Sequence, residues 1–129
     1  MPEVRGLLSP HLRAITDLAE EIGLEEAFKH LGINIQDDLA LMDLAGAEFS
    51  HVNLAHANLV GTTLVFASLF EADLKGANLE GANLEGANLE GANLEGANLR
   101  KANFDGANLV NANLKNAVLR EAKLNRAIL

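Results

Sequence analysis

Residues 76–95 read GANLEGANLEGANLEGANLE, which is the unit Gly-Ala-Asn-Leu-Glu four times in succession. The five-residue spacing continues far beyond this stretch, because Leu or Phe occupies every fifth position from Leu39 to Leu129, nineteen central positions in all. Ala lies two residues before fifteen of these nineteen central residues. An internal repeat of this regularity predicts a repeat architecture before any secondary-structure propensity is considered.

A period of five suits neither an α-helix nor a flat strand. In a helix each residue turns about 100°, so residues five apart spread around the whole surface. In a strand the side chains alternate between the two faces, so residues five apart point to opposite sides. The central residues share one interior only if the chain turns a corner in every repeat and the backbone of each coil bonds to the next. The sequence therefore predicts a solenoid with a leucine-filled interior.

The pattern A-(N/D)-L-x-x, as in residues 77–81 (ANLEG), resembles the pentapeptide-repeat family over residues 37–129. The resemblance implies an all-β solenoid, a right-handed quadrilateral β-helix with four pentapeptides per coil, so that the nineteen repeats make a little under five coils. The charges favour twenty residues per coil over fifteen. Fifteen would stack Glu80 directly on Glu95, a like-charge contact, whereas twenty places Glu80 below Arg100.

Each position of the repeat has an expected direction. The Ala points inward, because only a small group fits beside a leucine in a narrow coil. The residue between them, usually Asn, points outward, where stacked amides would form hydrogen-bonded rows. Gly at the second position after many central residues eases the corner. Met42, Val52 and Thr62 replace the inward Ala, so we expect a less regular interior in the early coils.

Residues 1–36 lack the five-residue period and are predicted to form a small α-helical N-terminal cap on the β-helix of residues 37–129. Ser9-Pro10 signals the start of a helix, and apolar residues follow at helical spacing until Gly23. A second short helix is predicted to end at Gly32. A solenoid exposes an apolar cross-section at its ends, which explains the need for a cap. The alternative role of this segment is to dock another protein.

The net charge of −8 is distributed unevenly along the chain. Residues 37–99 hold ten acids and one base, a net charge of −9, whereas residues 100–129 have a net charge of +4. Residues 1–36 have a net charge of −3. These charges either form solvated faces that keep a β-structure soluble or orient a partner by their polarity.

Apolar residues at outward positions form the candidate interaction surface, since clustered exposed apolar groups mark interfaces. The candidates are Val60, Val65, Phe66, Phe70, Val118 and Ile128. The first four fall within one coil, where they either lie under the N-terminal helices or form a site for a partner or for self-association. The last two replace outward Asn near the C-terminus, and we expect no capping segment after Leu129. We therefore expect a two-fold homodimer through the C-terminal end.

The sequence predicts no catalytic, cofactor-binding or metal site, and the protein is expected not to be an enzyme. Serines are few, and outward positions on a square rod form flat faces rather than a pocket. His51 and His56 lie five residues apart, so they are placed at successive corners and diverge. The glutamates from Glu80 to Glu95 each fall on a different face, so no two of them share a proton or a metal.

The partners excluded by the sequence are nucleic acids and membranes. The basic end has no interleaved aromatic residues, and most of the rod repels phosphate. The apolar runs are too short to span a bilayer, and the first residues do not resemble a signal peptide. With no cysteine there is no disulfide framework, and we expect a cytoplasmic location.

The expected function is that of a non-enzymatic structural or protein-interaction module with an unknown protein partner. The alternative is a DNA-mimic inhibitor or protector of DNA gyrase, because the resemblance implies that some family members match duplex DNA in width and charge. Those members are longer, and this chain departs from them in having under five coils and a basic C-terminal end.

Overall fold

The N-terminal part of the protein folds as two helices, as the sequence predicts. A computed structural model describes residues 10–37 and 39–129. Helix α1 spans Pro10–Ile22 and helix α2 spans Leu24–His30. Gly23 separates them with a φ of 88°, which an L side chain rarely adopts. The Ser9 cap lies outside the described residues.

Helix α2 ends in a Schellman motif. The backbone N–H of Gly32 donates to the carbonyl of Lys29 at 3.1 Å, and the N–H of Ile33 donates to the carbonyl of Phe28 at 2.9 Å. Gly32 has a φ of 73°, the left-handed conformation that this ending requires. Ile33 then packs against the apolar core, so the motif directs the chain from the helix into the solenoid.

The solenoid pairs each residue with the residue twenty positions later. Its strands are reduced to single bridge residues: fourteen parallel β-bridges run from Asp43–Thr63 to Asn108–Ile128, all between residues twenty apart. Four pentapeptides therefore complete one coil, which confirms the twenty-residue repeat. We name the four sides by the first central residue of each column: side A from Leu39, side B from Leu44, side C from Phe49 and side D from Leu54.

Backbone hydrogen bonds join every coil to the next. The N–H of Leu89 donates to the carbonyl of Asn108 at 2.7 Å, and the N–H of Asn88 donates to the carbonyl of Ala67 at 2.9 Å. Within the repeat, the N–H of Ala92 donates to the carbonyl of Leu89 at 3.0 Å and closes the corner. The backbone N–H and C=O groups of the coil are thus hydrogen-bonded both along the rod and at the corners.

The second residue after each central residue adopts a left-handed backbone conformation. All eighteen such positions from 41 to 126 have φ between 53° and 74°, and eight of them are Gly. The others are Leu41, His51, His56, Phe66, Glu71, Lys101, Asn111, Asn116, Glu121 and Arg126. Away from Gly and Asn this conformation costs about 1–2 kcal/mol per residue. The bonding between coils therefore imposes the corner on whatever residue occupies it.

The interior is a continuous column of central and inward side chains. The central residues from Leu39 to Leu109 are all buried, and so are the inward alanines from Ala47 to Ala107. Thr62, which replaces an inward Ala, is fully buried and donates its hydroxyl to the carbonyl of Leu59 at 2.8 Å. The hydroxyl is therefore accommodated without an unpaired polar group.

The two helices pack against the first coil. Ile15 and Phe28 are buried in the same apolar cluster as Leu39 and the other early central residues. The ring of Phe28 lies 6.0 Å from the ring of Phe49, at an interplanar angle of 52°. This packing places the helices on the solenoid, while the assignment of residues 1–36 as a separate cap stays a prediction.

Candidate interaction surfaces

The outward apolar residues of the second coil lie on three different sides. Val60 is on side A, Val65 and Phe66 are on side B, and Phe70 is on side C. Val60 and Phe70 are ten residues apart, which is half a coil, so they lie on opposite sides of the rod. Val60, Val65 and Phe70 are half-buried, whereas Phe66 is 71% exposed. The helices therefore do not cover Phe66, and the four residues do not form one face.

Phe70 belongs to a small group on side C. Its ring meets that of His51 edge-on, with centroids 5.6 Å apart. The Nδ1 atom of His51 lies 3.5 Å from Oε2 of Glu71. Phe70 is half-buried and already packs against His51, which makes it a weaker candidate for binding a partner than Phe66.

Two bulky apolar residues are both exposed and held in the left-handed conformation. Phe66 has a φ of 57°, and Leu41 is 79% exposed with a φ of 63°. Leu41 is not among the candidate residues predicted from the sequence. Its signal was a leucine at a corner position that the regular repeats fill with Gly or a polar residue.

Each of these side chains leans over a glycine in the next coil. A Cβ atom built on Gly86 would lie 2.5 Å from Cε1 of Phe66, and one built on Gly61 would lie 2.7 Å from Cδ2 of Leu41. Such separations are too short for two carbon atoms. The two glycines therefore provide the space that the exposed side chains occupy.

The outward asparagines bond first to their own turn. The Oδ1 atom of Asn88 accepts from the N–H of Glu90 at 3.0 Å, and Asp73 accepts from the N–H of Lys75 in the same way at 3.1 Å. The predicted stacking of amides also occurs, with Asn98 donating to Asn78 at 3.2 Å and Asn113 donating to Asn93 at 3.3 Å. The Asn rows thus brace the corners as well as joining the coils.

The described residues contain no group of three or more His, Asp or Glu side chains that would hold a metal ion. His51 and His56 occupy corners on sides C and D, as predicted. On side C the Ser50 hydroxyl donates to the carboxylate of Glu48 and lies 2.8 Å from Oγ of Ser68. Neither bond brings a histidine to the serine, so this group lacks the base that a serine nucleophile requires.

The charged residues that stack along side A do not pair with one another. The positions after the central residues of this side read Val60, Glu80, Arg100 and Arg120 in successive coils. Among the described residues of the solenoid, His51 pairs with Glu71 and Arg120 pairs with Glu121, the latter at 3.9 Å. Glu80 and Arg100 are therefore neighbours along the rod, but their charged groups do not meet.

The two C-terminal candidates lie on opposite sides. Val118 on side A is 45% exposed, and Ile128 on side C is 56% exposed. Leu124 and Leu129, which are central residues of the last described coil, are also exposed. Val118 and Ile128 share no side of the rod, so the predicted pairing through them requires contact across the end of the last coil.

Neither described helix is long and apolar enough to cross a lipid bilayer. This finding concerns residues 10–37 and 39–129 alone.

Solved structures of other repeat proteins resemble this one. A pentapeptide repeat protein from the cyanobacterium Cyanothece 51142 is 45% identical with a TM-score of 0.58, over 67% of this chain and 56% of that chain. One from Nostoc PCC 7120 is 43% identical with a TM-score of 0.58, over 58% of this chain and 62% of that one. One from the thylakoid lumen of Arabidopsis thaliana is 33% identical with a TM-score of 0.55, over 73% of this chain and 69% of that one.

The sequence comparison agrees with the geometry. No curated protein gives a significant match to the sequence. The family model described as "Pentapeptide repeats" matches the chain in eight copies, over residues 47–86, 67–106 and 97–129. This match covers most of the coils whose bridges join residues twenty apart, and the chain therefore belongs to the pentapeptide repeat family.

Proposed function

We propose that the protein is a non-enzymatic, cytoplasmic protein-interaction module built on a right-handed quadrilateral β-helix, with the N-terminal helices as its cap. The resemblance to other pentapeptide repeat proteins supports the handedness. The packing of Phe28 on Phe49 supports the cap. The gyrase alternative stays a prediction.

The conformation of Phe66 carries this proposal. A left-handed backbone is unfavourable for a bulky residue by about 1–2 kcal/mol, and Gly would avoid that cost. The neighbouring coils have Gly46 and Gly86 at this position of side B. A strained and exposed aromatic ring contributes little to the fold, so its placement is explained by a contact with another molecule.

The surroundings of Phe66 define the chemistry of the partner. Val65 extends the apolar area, and Glu85 follows Val65 one coil further along side B. Asp43 lies on side B of the first coil, directly before the central Leu44. The partner is therefore a protein with an apolar pocket for the ring and lysine or arginine residues around it.

The test is capture of partners from lysate of the source cell on immobilised protein, with the wild type compared with Phe66→Gly. We expect the variant to lose the captured protein and to melt no lower than the wild type, because the substitution relieves the left-handed strain. Asn116→Gly is the matched control, since it changes an exposed left-handed corner on side D without removing apolar surface. Full capture by Phe66→Gly would rule out this surface.

A further inference from the structure

The charges on side A are arranged so that the side is complementary to itself. Along the rod the positions after the central residues read Val60, Glu80, Arg100 and Arg120. We propose that two copies of the chain associate in antiparallel orientation through side A, related by a two-fold axis that passes between the coils of Glu80 and Arg100. This surface is separate from the Phe66 corner used above.

The symmetry fixes which residues meet. The two-fold axis lies in the plane of the interface and is perpendicular to both rods, because an axis normal to that plane would not bring the two sides A together. This axis reverses the direction of the second rod. It also keeps each column of side A opposite the same column of the second copy. Glu80 then faces Arg100 of the second copy, and Arg100 faces Glu80 of the second copy, so the contact occurs twice. Val60 faces Arg120 of the second copy, whose aliphatic stem covers the apolar side chain.

The register is selected by the same charges. A shift of the axis by half a coil toward the N-terminus would place Glu80 against Glu80 of the second copy. A shift of half a coil the other way would place Arg100 against Arg100. A shift of a whole coil leaves Glu80 opposite Val60 in one direction and Arg100 opposite Arg120 in the other. Like charges in direct opposition are unfavourable, so the stated register is the one on side A that pairs opposite charges without opposing like charges.

The other three sides match this arrangement less well. Side B brings Glu85 against Asp105, and side C has Glu90 with no base in its column. Side D can pair Lys75 with Glu95 of a second copy, but it then offers Ala55 opposite Lys115 where side A has Val60 opposite Arg120. Side A is therefore the side on which the antiparallel arrangement combines paired opposite charges with an apolar contact.

The charged groups on side A are available for these contacts. Among the described residues Arg100 has no carboxylate within 4.0 Å, and the side chain of Glu80 accepts a hydrogen bond of 3.4 Å from Asn98. Both side chains are only half-buried. Because the contacts are partly exposed, the association is weak and falls as salt rises.

Sedimentation velocity of the full chain over a range of concentrations tests the proposal, at about 20 mM and about 500 mM salt, where the screening length differs several-fold. We expect a dimer at low salt that dissociates at high salt. Glu80→Arg and Arg100→Glu should each raise its dissociation constant about ten-fold or more, because each creates two like-charge contacts per dimer. Glu90→Arg, the same charge change on side C, should leave the dissociation constant unchanged.

Mixing the two side A variants gives the decisive result. The arginine introduced by Glu80→Arg would face the glutamate introduced by Arg100→Glu, and the unchanged Arg100 of the first variant would face the unchanged Glu80 of the second. The mixture should therefore form a heterodimer although neither variant dimerises alone. Thermal melting of each variant establishes that it is folded. A wild type that stays monomeric at low salt would overturn the proposal, as would a mixture that stays monomeric. Loss of the dimer on Ile128→Lys would overturn it too, because the contact would then lie at the C-terminal end.

Discussion

The ring of Phe66 lies against Gly86 and leaves no space for a side chain on Gly86. A Cβ atom on Gly86 would come within 2.5 Å of the ring. The two residues occupy the same corner of side B in successive coils, both with positive φ. One corner therefore carries the exposed aromatic group and the next corner gives it room.

This relationship predicts that Gly86→Ala is more harmful than the same change at Gly81. Both glycines have a φ near 70°, so each Ala should cost about 1–2 kcal/mol of unfolding free energy through left-handed strain. Only at Gly86 must the ring of Phe66 also move, since nothing lies within 4 Å of a Cβ on Gly81. Chemical denaturation measures the difference.

The double variant Phe66→Gly/Gly86→Ala is the control for that difference. Removal of the ring should restore about 0.5–3 kcal/mol, the coupling found for residues in contact. Equal losses at Gly86 and Gly81, or no coupling with Phe66, would show that the ring does not depend on Gly86.

The leucine column should dominate the stability of the solenoid. Leu89→Ala removes a fully buried side chain and is expected to cost about 2–5 kcal/mol. Glu90→Ala removes an outward charge and should cost less than about 1 kcal/mol. Urea denaturation of both variants checks the prediction, and comparable losses would mean that the inward and outward positions are misassigned.

The contact between Phe28 and Phe49 should anchor the N-terminal helices. Phe28→Ala is expected to lower the unfolding free energy by about 3–5 kcal/mol, because the ring is almost completely buried against the first coil. Lys29→Ala, in the same helix, removes an exposed side chain paired with Glu26 at 3.6 Å and should have little effect. Thermal or chemical unfolding of the two variants measures the contrast.

Removal of residues 1–36 extends this prediction to the whole segment. A chain that begins at Asp37 is expected to aggregate, because the first coil would lose the helices packed on it. If that chain is monomeric and keeps the full melting temperature, the segment is not a cap and its role is docking.

The local bond of the outward asparagines predicts a difference between two substitutions. Asn88→Ala should cost about 1 kcal/mol, since the N–H of Glu90 loses its acceptor. Asn88→Asp should cost less, because Asp43 and Asp73 make the same bond at equivalent positions. Thermal melting measures both variants. If Asn88→Asp lowers the melting temperature as much as Asn88→Ala, the bond to the N–H of Glu90 does not explain the role of Asn88.

The interior could be predicted from the sequence because its pattern is strictly local. Leu every fifth residue, with Ala two places before it, requires a narrow coil whatever the details of the corner. The number of residues per coil came from the family resemblance, and the bridge from Asn88 to Asn108 confirms it. The helices were predicted from apolar spacing and the glycines that follow them.

The corners and the candidate surface were less predictable. The left-handed conformation of Leu41 and Phe66 comes from hydrogen bonds to the next coil, such as that from the N–H of Phe66 to the carbonyl of Glu85 at 2.9 Å. Local propensity does not contain that contact. The division of Val60, Val65 and Phe70 among three sides follows from the coil length, so it required the fold before it could be seen.

The twenty-residue coil has a consequence for insertions and deletions. Removal of residues 81–100 would shorten the rod by one coil, about 4.8 Å, and every remaining residue would keep its side. Removal of residues 81–85 would preserve the leucine interior equally well, yet it would carry everything downstream a quarter turn around the rod and move Arg100 from side A to side D. Changes in length by twenty residues alter the length of the rod. Changes by five residues move the downstream outward residues to other sides of the rod and leave the core intact.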